Sequence, residues 1–146
     1  MTECIRAAAE VGYDYFISGF AEGVDLMAAE AVLALKREGY ALRLEAALPS
    51  MDQTEGWDDP ARGLHGMLLE QADRCVCVDP VGDAYSCLRR DEYMVKESDL
   101  VIAVFDGQKG GTAYTVSYAR KKKRNLWIID PVTFALTKDE GLFSIL

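Results

Sequence analysis

Leu100–Val101–Ile102–Ala103–Val104–Phe105 is an unbroken apolar run. A run this short and this continuous reads as a strand buried on both faces. It leads into Gly107–Gln108–Lys109–Gly110–Gly111–Thr112 and then into Ala113–Tyr114–Thr115–Val116–Ser117–Tyr118–Ala119, which has the composition of a helix. The same order of parts occurs earlier. Tyr15–Phe16–Ile17–Ser18 precedes Gly19–Phe20–Ala21–Glu22–Gly23–Val24–Asp25, and a helix follows to about Glu38. A strand that delivers a glycine turn to a helix N-terminus gathers backbone N–H groups and the positive end of the helix dipole at one spot, where a phosphate can reach the main chain. Taken alone, either pattern also fits a plain strand-to-helix turn.

The rest of the chain repeats this alternation. Residues 2–11 carry Ile5, Ala8 and Ala9 near the helical period, with Gly12 placed to end the helix. Leu42–Leu48 reads as a second strand ending at Pro49, Ala61–Ala72 as a helix, Arg74–Val78 as a third strand, and Tyr85–Glu97 as a helix. Leu126–Ile129 reads as a fifth strand, followed by a short tail. Alternating strands and helices, with strands apolar throughout, predict an α/β fold: a parallel sheet of about five strands with helices on both faces, in one domain over residues 1–146. Ligands of such sheets lie beyond the strand carboxyl ends. The loops after Ser18, Leu48, Val78 and Phe105 are therefore expected along one edge, with both glycine turns facing one ligand.

Charge and cysteine usage narrow the partners. The net charge is −8, which disfavours adhesion to nucleic acid or anionic lipid. Arg120–Lys121–Lys122–Lys123–Arg124 reads as favourable charge at a helix C-terminus. Cys4, Cys75, Cys77 and Cys87 contain no C-x-x-C, and His65 is the only histidine, so no zinc site is expected. Cys75 and Cys77 are expected in the core, and His65 at the surface or its boundary. No stretch is apolar and long enough to span a bilayer and no signal peptide is recognisable, so a reduced, cytoplasmic protein is expected.

Ser18–Gly19–Phe20–Ala21–Glu22–Gly23–Val24–Asp25, with Ala28–Ala29–Glu30 after it, resembles the S-G-x-A-x-G-x-D signature of the SLOG superfamily. Gly110–Gly111–Thr112 with Thr115–Val116 and Tyr118–Ala119 resembles its second signature. Leu48–Pro49, Gln53, Trp57, Tyr85 and Arg90 before Ser98–Asp99 are similar to the YpsA-like branch of these Rossmann-like proteins. The resemblance covers roughly residues 12–132. Members of this branch open with a strand ending in a T-G-H-R-type turn, whereas this chain begins at the following helix. Three arrangements stay open: a shortened chain, a sheet that closes differently, or a second protomer filling the space, which would make the protein a homo-oligomer.

The resemblance implies a nucleotide, or a ligand derived from NAD or ADP-ribose, bound by Ser18, Gly19, Ala21, Gly23, Asp25, Arg90, Gly110, Gly111, Thr112 and Thr115, for sensing or sequestration. The related LOG phosphoribohydrolases cleave nucleoside 5′-monophosphates with an arginine, matched by Arg90, and a glutamate whose position is Thr115 here. Threonine supplies no carboxylate for acid–base work, so binding is expected over catalysis, with N-glycosidase activity as the alternative. The DprA branch binds single-stranded DNA and usually carries a basic residue where this chain has Glu22, so a DNA-associated role ranks below both. Arg90 is expected as a phosphate clamp. Asp25 fits ribose contact or helix capping, and Thr112 fits N-cap or phosphate contact. Trp57 fits stacking on a base or covering the core of its own loop.

Overall fold

A computed structural model describes residues 1–140. The chain divides into two compact units, the first ending at Arg90 and the second beginning at Asp91. The first contains α1 (Thr2–Glu10), β1 (Tyr15–Ser18), α2 (Val24–Arg37), β2 (Arg43–Leu48), α3 (Asp59–Gln71), β3 (Arg74–Cys77) and the opening turns of α4 (Ser86–Lys96). The second contains the remainder of α4, then β4 (Leu100–Val104), α5 (Gly111–Lys121), β5 (Asn125–Ile129) and β6 (Leu136–Asp139). The five strands expected from sequence are present within a residue at each end. They do not form one sheet.

In the first unit the order is β1-β2-β3, all parallel, with Ile17 beside Glu45 and Glu45 beside Arg74. β2 is central, and every residue from Leu44 to Leu48 is buried. Leu44, Leu35, Leu26, Ile5 and Leu68 form the core with Phe20, which is fully enclosed. The flanking strands are less covered: only Ser18 of β1 is buried, and none of β3. Cys75 is exposed and Cys77 half-buried, contrary to the expectation that both lie in the core. β3 is an edge strand, and its apolar composition does not by itself supply a covering layer.

Asp73, just before β3, ties three elements together. Its carboxylate accepts from Leu44 N at 2.8 Å and from Lys36 Nζ at 2.9 Å, joining β2 to the last turn of α2. Lys36 first, and then the Leu44 N–H, hold the Asp73 carboxyl below the usual carboxylate range.

In the second unit β4 and β5 are parallel, and β5 pairs antiparallel with β6. β6 corrects the expectation of a short tail. Its turn is built by Asp130, whose carboxylate accepts from Val132 N at 2.8 Å and Thr133 N at 2.9 Å, while Phe134 N bonds Asp130 O. Strand Leu136–Asp139 is mostly exposed and polar, so it lacks the apolar run by which the other strands announce themselves. Lys138 lies over the Trp127 ring, 4.3 Å from its centre. Val95, Ala103, Val116, Ala119 and Leu126 form this unit's core.

Two outcomes follow from this packing. Leu44→Ala should cost about 2–5 kcal/mol, the usual range for emptying a closed core site, as measured by urea unfolding. Asp73 has a depressed folded-state pKa, so its stabilisation is present above the unfolded pKa and lost as pH falls through the folded one. Asp73→Asn should therefore lower the melting temperature at pH 7, and the gap to wild type should close under acidic conditions.

Candidate functional site

β1, β2 and β3 are parallel, so the loops leaving their carboxyl ends share one edge of the first unit. The turn after β1 is the most constrained of the three. Ser18 Oγ donates to Asp25 O at 2.8 Å and accepts from Phe20 N at 3.3 Å, while Ala21 N donates to Asp25 Oδ2 at 3.3 Å. One hydroxyl and one carboxylate thus fold residues 18–25 back on themselves. The next helix then starts at Gly23, which has φ +96° and offers no side-chain cap to α2. The positive end of its dipole therefore lies at this edge.

Gly19 is required by what stands over it. A Cβ at that position would lie 2.6 Å from Arg90 Nη1, 2.7 Å from Asp25 Oδ2 and 2.8 Å from Arg90 Cζ. The Arg90 guanidinium is therefore turned inward. Arg90 is only 5% exposed, and Nη1 donates to Gly19 O and, at 3.4 Å, to Ala47 O. The residue expected as a phosphate clamp lies against the main chain of the turn.

Gln53 reaches the same carbonyl from the loop after β2. Its Nε2 donates to Gly19 O at 2.9 Å, and its Oε1 lies 3.0 Å from His65 Nε2. His65 is buried, where a place at the surface or its boundary was expected. Phe20 and Trp57 pack edge-to-face on its ring with centroids 5.6 and 5.4 Å away. Burial pushes its pKa down, which keeps the imidazole neutral at pH 7. Trp57 accordingly covers its own loop's core. A lone histidine on α3 gave no sequence signal for this contact, because its partners lie at residues 20, 53 and 57.

The third loop is held by Arg89, which bonds Asp79 and Asp83. Ser86 Oγ donates to Asp79 Oδ2 at 2.8 Å and accepts from Asp83 N. The Arg89 guanidinium holds the Asp79 carboxyl below the usual carboxylate range. Asp83 is lowered first by the Tyr85 N–H and then by Arg89.

In the second unit Gly110 is the N-cap of α5, at φ +150°, and no side chain caps that helix. Gly111 is the first helical residue and Thr112 lies in the opening turn, so Thr112 is not the N-cap. A Cβ on Gly111 would meet no neighbouring atom within 4 Å. Thr115 Oγ1 donates to Gly111 O at 3.1 Å, within its own helix. Among the described residues no group of three or more His, Cys, Asp or Glu is placed to hold a metal ion, and no helix is long and apolar enough to cross a membrane.

Gly19→Ala places a methyl group against a buried guanidinium, and overpacking of this kind costs about 1–3 kcal/mol. A drop in melting temperature of several degrees is expected, with Gly111→Ala, which meets open space, as the benign comparison.

The YpsA family model, described as the YspA SLOG family, matches residues 1–135. A UPF0398 protein of Bacillus thuringiensis (strain Al Hakam) is 30% identical over 134 residues, covering 83% of this chain and 71% of its own. UPF0398 protein BH1768 of Halalkalibacterium halodurans is 28% identical over 123 residues, covering 82% of this chain and 65% of its own. A model match over nearly the whole chain, together with a glycine turn whose signature residues bond one another, places the protein in a family: the chain belongs to the YpsA SLOG family.

Proposed function

We propose that the carboxyl edge of the first unit binds a nucleotide or an NAD- or ADP-ribose-derived metabolite, with a phosphate seated on the backbone of the Gly19–Asp25 turn. The observation that carries this reading is the closed use of polar side chains around Gly19. Arg90 and Gln53 take the Gly19 carbonyl inward, while α2 begins at a glycine with no cap of its own. A glycine turn that opens a helix offers an anion its main chain and the positive end of the helix dipole. In the second unit, the Gly110–Thr112 turn likewise opens an uncapped helix and by itself suits an anion in the same chemical way. Thr115 spends its hydroxyl on Gly111 O and brings no carboxylate, which favours binding of an intact ligand over cleavage. The function fits sensing or sequestration of such a molecule in the cytoplasm.

A thermal-shift panel of AMP, ADP-ribose, NAD and unphosphorylated adenosine tests this. A ligand at a hundred times its Kd adds about 2.7 kcal/mol of stability, so phosphorylated members should raise the melting temperature and adenosine should not. Val24→Asp puts a carboxylate at the start of α2, where an acid suits the helix but repels phosphate. It should fold normally and lose the shift, and Gly111→Asp reports on the second turn in the same way. Ligand recovered intact supports binding, and free base would identify a glycosidase. No shift with any phosphorylated compound would overturn the reading.

A further inference from the structure

Phe20 combines two properties that rarely coincide: it is fully buried, and its φ is +56°. A bulky residue in the left-handed region is strained by about 1–3 kcal/mol and persists only where its surroundings dictate it. The dictating contacts lie on the Gly19–Phe20 peptide plane: Arg90 and Gln53 hold its carbonyl, and its N–H donates to Ser18 Oγ at 3.3 Å. Rotating that plane by half a turn would carry Phe20 from its φ of +56° to roughly −120°, the kind of change that separates type II from type I turns. Gly19 can follow the rotation because it has no side chain. The relaxed alternative would withdraw the Gly19 oxygen from Arg90 and Gln53 and send it towards the side where the N–H now points.

We propose that Gln53, oriented by His65, is a positioning residue that together with Arg90 latches the Gly19–Phe20 peptide in its strained orientation. The hydrogen-bond chemistry fixes every role. Gly19 O can only accept, so Gln53 must present its amide nitrogen there, at 2.9 Å. Gln53 Oε1 is then left for His65 at 3.0 Å, and His65 must carry its proton on Nε2 to donate. Phe20 and Trp57 hold the imidazole ring edge-on at 5.6 and 5.4 Å, so the ring that orients Gln53 is itself packed by Phe20. The latch and the strained residue thus support each other. The consequence for ligand binding rests on the phosphate-cradle reading above: the flip would break the Phe20 N–H bond to Ser18 Oγ and turn a carbonyl, which repels phosphate, to that side of the turn.

The test is made on the ligand-free protein first. In Gln53→Met, which keeps the side-chain bulk and removes the donor, the three-bond HN–Hα coupling of Phe20 should rise as φ leaves the positive region. Amide exchange at Phe20 and Ala21 should quicken at least tenfold. Arg90 still holds the carbonyl in that variant, so the full change is expected in Gln53→Met/Arg90→Lys. His65→Gln, which can still donate to Gln53, should behave as wild type, whereas His65→Leu should resemble Gln53→Met. An unchanged Phe20 coupling in Gln53→Met and, in a folded sample, in the double variant overturns the latch. ADP-ribose should bind Gln53→Met at least tenfold more weakly than wild type. A Phe20 flip in a protein that binds no nucleotide in any form upholds the latch and removes the nucleotide reading alone.

Discussion

A guanidinium can be buried only where acceptors surround it, and Arg90 imposes that condition on the first unit. Its head lies among the Gly19 carbonyl, the Ala47 carbonyl and the region of the Asp25 carboxylate. These groups belong to the end of β1, the central strand β2 and the first turn of α2. One side chain therefore sets where two strands finish relative to the helix between them. The absence of a side chain at Gly19 follows from the same arrangement: the volume a Cβ would fill is taken by the guanidinium and the carboxylate.

The electrostatics of the edge follow from it. Arg90 and Asp25 bracket one point and offset each other, and the one further formal charge in the turn is the exposed carboxylate of Glu22. Attraction for an anion must then come from oriented peptide dipoles rather than from an exposed basic side chain. Such a surface suits a protein of net charge −8. On the proposed reading, it would suit a compact anion that can enter the turn better than an extended polyanion such as nucleic acid.

Much of this was legible in the residue order. Short runs rich in apolar residues located five of the six strands among the described residues, although of the first unit's strands only β2 is buried along most of its length, and glycine after Ser18 marked the turn. Direction in space was less accessible. Arg90 was expected as a phosphate clamp, but nothing local says whether a long side chain turns outward to a ligand or inward to a carbonyl. His65 was misjudged for a related reason: its environment is assembled from positions 20, 53 and 57. β6 escaped notice because Asp130 and its turn, rather than apolar content, hold it in place. Cys75 shows the converse, an apolar-looking strand residue left exposed at a sheet edge.

The two tryptophans fall one to each unit, in different surroundings. Trp57 packs edge-on against His65 beside the glycine turn, and Trp127 lies beneath the Lys138 ammonium on β5. Each half of the molecule therefore carries its own built-in fluorophore. Emission from single-tryptophan versions can report whether the halves melt together or in turn, and the signal of Trp57 would follow rearrangement around the turn without any added label.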